Sequence, residues 1–355
     1  MSKAKKQSAV ELGPDSDPKV LYTNYTKECV KVGIEPYGPL KDTLLNEENP
    51  NQGKQIIVVL PRIKGVDALG SGGCRALVNA MIAKASSSVP FTATKELRIC
   101  SSSLGDAGAQ HISKLLMATS TKRPVDPKDP TSTQPEWKLE YIELMDNDIG
   151  AEGANALGRS LCVGMNRTLA TLILDFNKVG SEGVHKLCKG LSSNSTLKKL
   201  SLKHCCIDKH GGKPIGEMLG FKKTALVSLD LTCNQIGCVG LTDICTAGLD
   251  ENSSLKTLRI ADNLIGQTDD DARALETLAE VLSKHPSLIG VDLNYNRIGN
   301  RGGEILVPAI RDNKQLTEFI LDPSGMEEDL FKQLYRATST AKKKKGKKGK
   351  GKKKK

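Results

Sequence analysis

A spaced pattern of leucines, one asparagine and glycines recurs along most of the chain. Six copies begin at Leu139, Leu169, Leu197, Leu226, Leu255 and Leu288. The first five starts are 30, 28, 29 and 29 residues apart. A repeat of this length is one supersecondary unit that cannot bury its apolar face alone. Stacked copies can do so, and the chain is therefore expected to fold as a solenoid.

Each part of the repeat predicts a local structure. The L-x-x-L-x-L part alternates every second residue, which is typical of a strand. The asparagine that follows can donate and accept hydrogen bonds, and so can satisfy backbone groups at a tight bend; Ser102 and Cys205 replace it in two copies. The later G-x-x-x-L-x-x-x-L part predicts one apolar helix face. Partial copies occur at Leu97 and Leu316, and a degenerate first copy covers 56–81.

These copies resemble the leucine-rich repeats of the long ribonuclease-inhibitor type. The resemblance covers residues 55–322 and implies an α/β horseshoe solenoid with a parallel inner sheet, outer helices and about eight repeats. It is specific for fold and weak for function, because such scaffolds host many activities. The run Y-x-x-x-C-x-x-x-G-x-x-P at Tyr25, Cys29, Gly33 and Pro36 also resembles the segment ahead of the repeats in leucine-rich-repeat proteins of cilia and flagella.

The sequence divides into segments of different composition. We expect a disordered N-terminus at 1–18, a helical N-terminal cap at 19–54, the repeats at 55–322 with a Pro-rich insertion at 117–137, a C-terminal capping helix at 323–337 and a disordered Lys-rich tail at 338–355. The prolines of the insertion exclude a helix and favour an extended excursion. Such a loop is compatible with a binding function or with disorder.

The excess positive charge lies on the tail. The chain has 52 Lys and Arg against 41 Asp and Glu, and eleven of the lysines are Lys342, Lys343, Lys344, Lys345, Lys347, Lys348, Lys350, Lys352, Lys353, Lys354 and Lys355. Without these eleven lysines the basic and acidic residues are equal in number, so the remainder of the chain is formally neutral. A short polycation attracts nucleic acid, anionic lipid or the acidic tails of tubulin. The tail lacks the aromatic residues and arginines of base stacking, and the chain has no lipidation signal.

No motif for catalysis, cofactor binding or metal binding stands out. The start of the chain lacks the apolar stretch of a secretory signal, so the ten cysteines are expected to be reduced, cytosolic thiols. His204, Cys205, Cys206 and His210 have ligand-like spacing, but Cys205 occupies the bend and metal binding is not expected. The run 268–271 favours a helix cap over a calcium loop. His111, His185 and His285 are expected to be solvated.

Alternating strand positions predict the concave face. Its candidate protein-binding residues are Glu143, Met145, Ile173, Asp175, Phe176, Ser201, Lys203, His204, Asp230, Thr232, Arg259, Asp292, Asn294 and Tyr295. Their charge is mixed. Phe176 and Tyr295 are the expected anchors, since aromatic residues dominate binding hot spots. The alternative is that both rings cover the edge of the repeat core.

Together these observations favour a non-enzymatic scaffold that belongs to a larger assembly. The arc would bind protein partners and the tail an acidic polymer, with tubulin tails favoured and nucleic acid as the alternative. The expected location is the cytoplasm, in the microtubule cytoskeleton or axoneme of a cilium or flagellum. Two rivals remain open, a nuclear nucleic-acid-associated scaffold and a small-GTPase regulator of the Ran GTPase-activating type. A third, an immune or ribonuclease-inhibitor-like binder, ranks lower, because the inhibitor is cysteine-rich and acidic whereas the chain without its tail is neutral. No apolar stretch of 18 residues predicts a transmembrane helix.

Overall fold

The computed structural model describes residues 13–46, 48–51, 55–59, 67–83, 89–119, 124–126, 129–133, 136–266 and 271–337. The strands are β1 Ile56–Val59, β2 Glu96–Ile99, β3 Pro124–Asp126, β4 Asp129–Thr133, β5 Tyr141–Glu143, β6 Thr171–Ile173, β7 Lys199–Ser201, β8 Ser228–Asp230, β9 Thr257–Arg259, β10 Gly290–Asp292 and β11 Glu318–Ile320. Nine of them form one sheet in the order β1-β2-β5-β6-β7-β8-β9-β10-β11, while β3 and β4 form an antiparallel pair. All pairings in the large sheet are parallel.

One helix follows almost every strand of the large sheet. The helices are α1 Pro18–Val32, α2 Gly38–Leu45, α3 Gly70–Met81, α4 Gly105–Ala118, α5 Ala151–Leu161, α6 Gly180–Leu191, α7 Gly212–Leu219, α8 Gly237–Ile244, α9 Ala272–Lys284, α10 Gly299–Asp312 and α11 Glu328–Leu334. Helices of successive repeats contact each other, as the strands do. The predicted α/β horseshoe solenoid is therefore confirmed.

The register of the sheet aligns equivalent repeat positions. Ile142, Leu172, Leu200, Leu229 and Leu258 pair in one row across five strands, and none of them is exposed. Each such side chain contributes about 2 kcal/mol of burial free energy. Because every repeat adds the same row, the core is a continuous column between the strands and the helices.

The repeat asparagines form the expected hydrogen-bonded ladder at the bend. Asn234 Oδ1 accepts from the backbone N–H groups of Cys205 and Ile207, both at 3.0 Å. Its Nδ2 donates to the carbonyl oxygens of Leu202 and Leu231, at 2.9 and 2.7 Å. One side chain thus satisfies four buried backbone groups from two repeats.

Cys205 replaces the asparagine in its own repeat and is fully buried there. Its thiol lies 3.2 Å from the carbonyl oxygen of Leu174. Burial raises the pKa of this thiol to about 12, so it stays protonated at neutral pH. Among the residues that the structure describes, no group of three His, Cys, Asp or Glu side chains could hold a metal ion.

A second polar ladder lies where each helix leads into the next strand, and sequence reasoning missed it. Its asparagines are Asn166, Asn194, Asn252 and Asn313. Asn194 shows the pattern: Oδ1 accepts from the N–H groups of Thr196 and Leu197 at 2.9 and 2.7 Å, and Nδ2 donates to the Leu161 carbonyl at 2.7 Å. The corner is thereby tied to the end of the preceding helix.

His285 takes the place of the corner asparagine in its repeat. Nδ1 accepts from the N–H groups of Ser287 and Leu288, at 3.2 and 3.1 Å. The side chain is only 6% exposed, so the expectation that His285 is solvated is wrong. Since Nδ1 is an acceptor, the ring proton resides on Nε2, which has no hydrogen-bond partner in the described ranges.

His285 should make stability depend on pH. Burial lowers the pKa of His285 below its ordinary value of 6.5. As pH falls below about 6.5, His285 is therefore protonated in the unfolded chain before it is protonated in the folded one. The free energy of unfolding then decreases by up to about 1.4 kcal/mol per pH unit. His285→Asn keeps the acceptor and removes the titration, so its free energy of unfolding should fall less between neutral pH and pH ~5.5. Urea denaturation of both proteins checks this, and parallel pH profiles would contradict it.

The two ends of the sheet are covered by chain from outside the repeats. At the first edge, α1 packs on α3, and the buried Tyr25 hydroxyl accepts from the Tyr37 N–H at 3.0 Å. At the last edge, Arg336 pairs with Phe319 of β11 through two backbone hydrogen bonds of 2.7 and 2.9 Å. Its guanidinium donates to the carbonyl oxygens of Ile310, Asn313 and Leu316. Both segments therefore occupy edges that would otherwise expose unpaired strands.

Other predicted segments lie partly or wholly outside the described residues. The Pro-rich insertion contributes the β3–β4 pair, and α4 extends to Ala118. Asp271 precedes α9, whereas 268–270 are not described. Residues 1–12 and the eleven tail lysines also lie outside. No described helix is both long and apolar enough to cross a bilayer.

Candidate functional site

Each strand presents two or three outward positions on the concave face. Of the predicted residues, eight are half-buried there: Glu143, Met145, Ile173, Lys203, Thr232, Arg259, Asp292 and Asn294. Sequence reasoning missed the first outward position of each strand, which lies two residues before the second. This row is Glu96, Tyr141, Thr171, Lys199, Ser228, Thr257, Gly290 and Glu318. The same alternation rule identifies it, so the signal was present in the sequence.

The first strands carry a closed network of charges. The Arg98 guanidinium lies 2.8 Å from a Glu96 carboxylate oxygen, 3.7 Å from Glu143, and 4.7 Å above the centre of the Tyr141 ring. The Tyr141 hydroxyl donates to Glu143 at 2.8 Å. The hydrogen bond to Glu96 raises the pKa of Arg98, and desolvation raises the pKa of Tyr141. These side chains therefore satisfy one another.

The centre of the face corrects one expectation from the sequence. Asp175, Ser201 and Asp230 were expected as surface residues, but they are only 8%, 2% and 4% exposed. Ser201 lies between Ile173 and Asp230, and Asp230 lies between Ser201 and Arg259. Longer side chains on neighbouring strands thus flank Ser201 on both sides and Asp230 on one. Asp175 accepts from the Lys203 N–H at 3.0 Å, and burial raises the pKa of its carboxyl group.

One of the two carboxylates at this centre pairs with an ammonium group. Lys203 Nζ lies 3.3 Å from Asp230 Oδ2, and the other Asp230 oxygen accepts from the N–H and hydroxyl of Thr232 at 3.1 and 2.7 Å. The Ser201 hydroxyl faces Asp175 and lowers its pKa, partly offsetting the effect of burial. It nevertheless makes no hydrogen bond of good geometry within the described residues. The centre thus holds two buried carboxylates and a single ammonium group.

The rim of the face carries exposed aromatic rings. Phe176 and Tyr295 are 52% and 70% exposed, and the Phe176 ring stacks on His204 with 5.0 Å between ring centres. Phe176, His204 and Tyr295 each directly precede the residue that occupies the ladder position of their repeat, and their φ angles lie between 52° and 58°. This left-handed region costs an ordinary residue about 1–2 kcal/mol, and Asn or Gly would fit better. Both rings keep an exposed apolar area of the kind that interface anchors have.

The face becomes acidic toward its C-terminal end. From β8 to β11, its carboxylates are Asp230, Asp262, Asp292, Glu318 and Asp322, and its cation is Arg259. We call these five carboxylates the acidic half of the face. Asp292 and Asp322 also accept from the backbone N–H groups of Asn294 and Ser324, at 2.9 and 2.7 Å. Their positions are therefore fixed by the local turns.

Comparison with known proteins agrees with this architecture. A family model described as Leucine Rich repeat matches residues 138–158, 166–188, 193–216 and 222–245. Ribonuclease inhibitor of Sus scrofa is 28% identical over 209 residues, which cover 59% of this chain and 41% of the inhibitor. NACHT, LRR and PYD domains-containing protein 12 of Mus musculus is 29% identical over 166 residues, covering 46% of this chain and 15% of that protein. The chain thus spans less than half the length of these relatives.

A solved structure gives a weaker likeness. The tropomodulin C-terminal domain of Caenorhabditis elegans aligns with a TM-score of 0.36 and 14% identity, covering 45% of this chain and 90% of that domain. The observed repeats, the family match and the ribonuclease inhibitor relatives agree on one assignment. The chain is built from leucine-rich repeats that are similar to those of ribonuclease inhibitor.

Proposed function

We propose that this chain is a non-enzymatic scaffold that binds another protein on its concave face. The exposed aromatic rim carries the proposal, because Phe176 and Tyr295 hold large apolar surfaces in a strained backbone conformation. The rings lie on either side of the buried polar centre, on repeats β6 and β10. A partner that contacts both would cover that centre and exclude water from it, as hot spots require.

We further propose that the Lys-rich tail attaches the scaffold to an acidic polymer. Eleven lysines among residues 342–355 give a dense positive charge with no apolar residue to support a fold. Tubulin tails are the favoured polymer, which would make the protein a structural or adaptor component of the axoneme or microtubule cytoskeleton. The short N-terminal resemblance to ciliary proteins supports this choice. Tail and face would then act together, one supplying local concentration and the other specificity.

Co-sedimentation with microtubules tests the polymer. Full-length protein should pellet at low salt, and a chain ending at Ala341 should not. A matched control keeps the tail length and replaces its lysines by glutamine, and it should behave like the truncation. Binding should weaken as salt shortens the Debye length, and proteolytic removal of the tubulin tails should abolish it. Unchanged pelleting of the truncated chain would contradict the proposal, and pelleting with nucleic acid alone would favour the nuclear alternative.

A further inference from the structure

We propose that residues 342–355 bind the acidic half of the concave face within the same chain. The proposed functions treat the face and the tail as separate binding elements. Three observations connect them: the charge distribution of the face, the excess of carboxylates at its centre, and the position of the last described residues.

The charge of the face is uneven along the arc. From β8 to β11 it has five carboxylates, Asp230, Asp262, Asp292, Glu318 and Asp322, against the single guanidinium of Arg259. From β2 to β7, by contrast, it has the carboxylates of Glu96, Glu143, Asp146 and Asp175 and the cations of Arg98, Lys199 and Lys203. The half from β2 to β7 is nearly neutral, and the carboxylates of Glu96 and Glu143 already pair with Arg98. The second half therefore has the charge that a polycation would neutralise.

The centre of the face, next to the acidic half, holds two carboxylates and one ammonium group. Lys203 Nζ lies 3.3 Å from Asp230, whereas Asp175 accepts from the backbone N–H of Lys203. Both carboxylates are largely buried, so a further cation at the edge of this centre would offset their excess charge.

The chain leaves the fold beside the acidic half. The antiparallel pairing of Arg336 with Phe319 fixes residue 336 against β11, the last strand of the sheet. Lys342 lies six residues further, a reach of about 20 Å when extended. Crossing from β11 to β8 takes three strand spacings, or about 14 Å. Every tail lysine can therefore reach the acidic half without any rearrangement of the repeats.

Tethering makes this contact favourable even if each ion pair is weak. A Gly-rich chain of about 19 residues has a root-mean-square end-to-end length of about 25 Å, which exceeds the span of about 14 Å from β11 to β8. Its effective concentration at the face is then in the millimolar range. The tail and a protein partner would compete for the face, and an acidic polymer would release the tail from it. The contact itself requires neither proposed ligand.

Zero-length carbodiimide cross-linking of the full chain tests the contact directly, because it joins a lysine amine to a carboxylate that touches it. Tail lysines should couple to Asp262, Asp292, Glu318 and Asp322 at least severalfold more than to four exposed carboxylates elsewhere, Glu217, Glu251, Glu280 and Glu304. The products should be monomeric at all protein concentrations. They should disappear near 1 M salt, where the Debye length is about 3 Å.

A second measurement uses variants that keep the turn acceptors. Asp262→Asn, Asp292→Asn, Glu318→Gln and Asp322→Asn together should make trypsin remove the tail severalfold faster than from the wild-type chain. The matched control replaces Glu217, Glu251, Glu280 and Glu304 by glutamine and should leave that rate unchanged. Coupling spread equally over both sets of carboxylates would overturn the proposal. So would coupling found only in dimers, or equal trypsin rates in all three proteins.

Discussion

Replacing Asn234 by alanine should lower the free energy of unfolding by about 4 kcal/mol or more. The side chain satisfies two backbone N–H groups and two carbonyl oxygens, all buried between neighbouring repeats. Alanine provides no partner for any of them, and each unsatisfied buried group costs about 1–3 kcal/mol. The loss would fall on the contact between two repeats, on which a solenoid depends.

Urea denaturation followed by circular dichroism measures this effect. The midpoint should fall while the slope with denaturant stays close to that of the wild type, because the folded area is unchanged. Asn294→Ala is the control. The half-buried Asn294 side chain lies on the concave face after β10, and its removal should lower the free energy of unfolding by no more than about 0.5 kcal/mol. A small, equal effect of both substitutions would show that the ladder contributes little to stability.

The second large effect is expected at Gly190. This residue of α6 packs against the backbone of Gly158 in α5, and a Cβ at Gly190 would overlap the carbonyl group of Gly158. Backbone atoms cannot rotate away as a side-chain end can, so the two helices would have to separate. We expect Gly190→Val to cost about 3 kcal/mol or more, at the upper end of overpacked cores.

The neighbouring position provides the control for Gly190. Lys189→Val places the same β-branched side chain on the exposed side of the same helix. It should change the unfolding free energy by less than about 1 kcal/mol, although it lowers helix propensity, whereas Gly190→Val raises helix propensity. If both substitutions destabilise the protein equally, close packing of α5 and α6 does not decide the result.

The fold was predictable because the same pattern of strand, bend and helix recurs in each copy of the repeat. Leucines at fixed spacing lie in fixed rows of the sheet, and the ladder asparagines could be identified from their position after the last leucine. The corner ladder was equally visible, since Asn166, Asn194, Asn252 and Asn313 each lie three residues before the first leucine of a copy. His285 occupies the same offset before Leu288. The burial of His285 was not predicted, because only its position in the repeat, and not its residue type, indicates that it is buried.

The site was predictable in outline only. Alternation assigns a residue to the concave face, but depth on that face depends on the lengths of neighbouring side chains from other repeats. Asp175, Ser201 and Asp230 are buried on this face, while Phe176 and Tyr295 at its rim are exposed. The positive φ before the ladder, and the closed Arg98 network, likewise arise only when strands about 4.8 Å apart are placed side by side.

Comparative affinity capture tests the central claim that the concave face binds a protein. Wild-type chain, Phe176→Ala with Tyr295→Ala, and a control with Val163→Ala and Val239→Ala would each be used to capture proteins from ciliated cells. Both valines are exposed, at 72% and 60%, and lie outside the concave face. Truncating two anchors costs about 2–4 kcal/mol each, so a specific partner should be lost from the aromatic variant and kept by the valine control. Equal capture of every partner by all three proteins would contradict a binding role for this face.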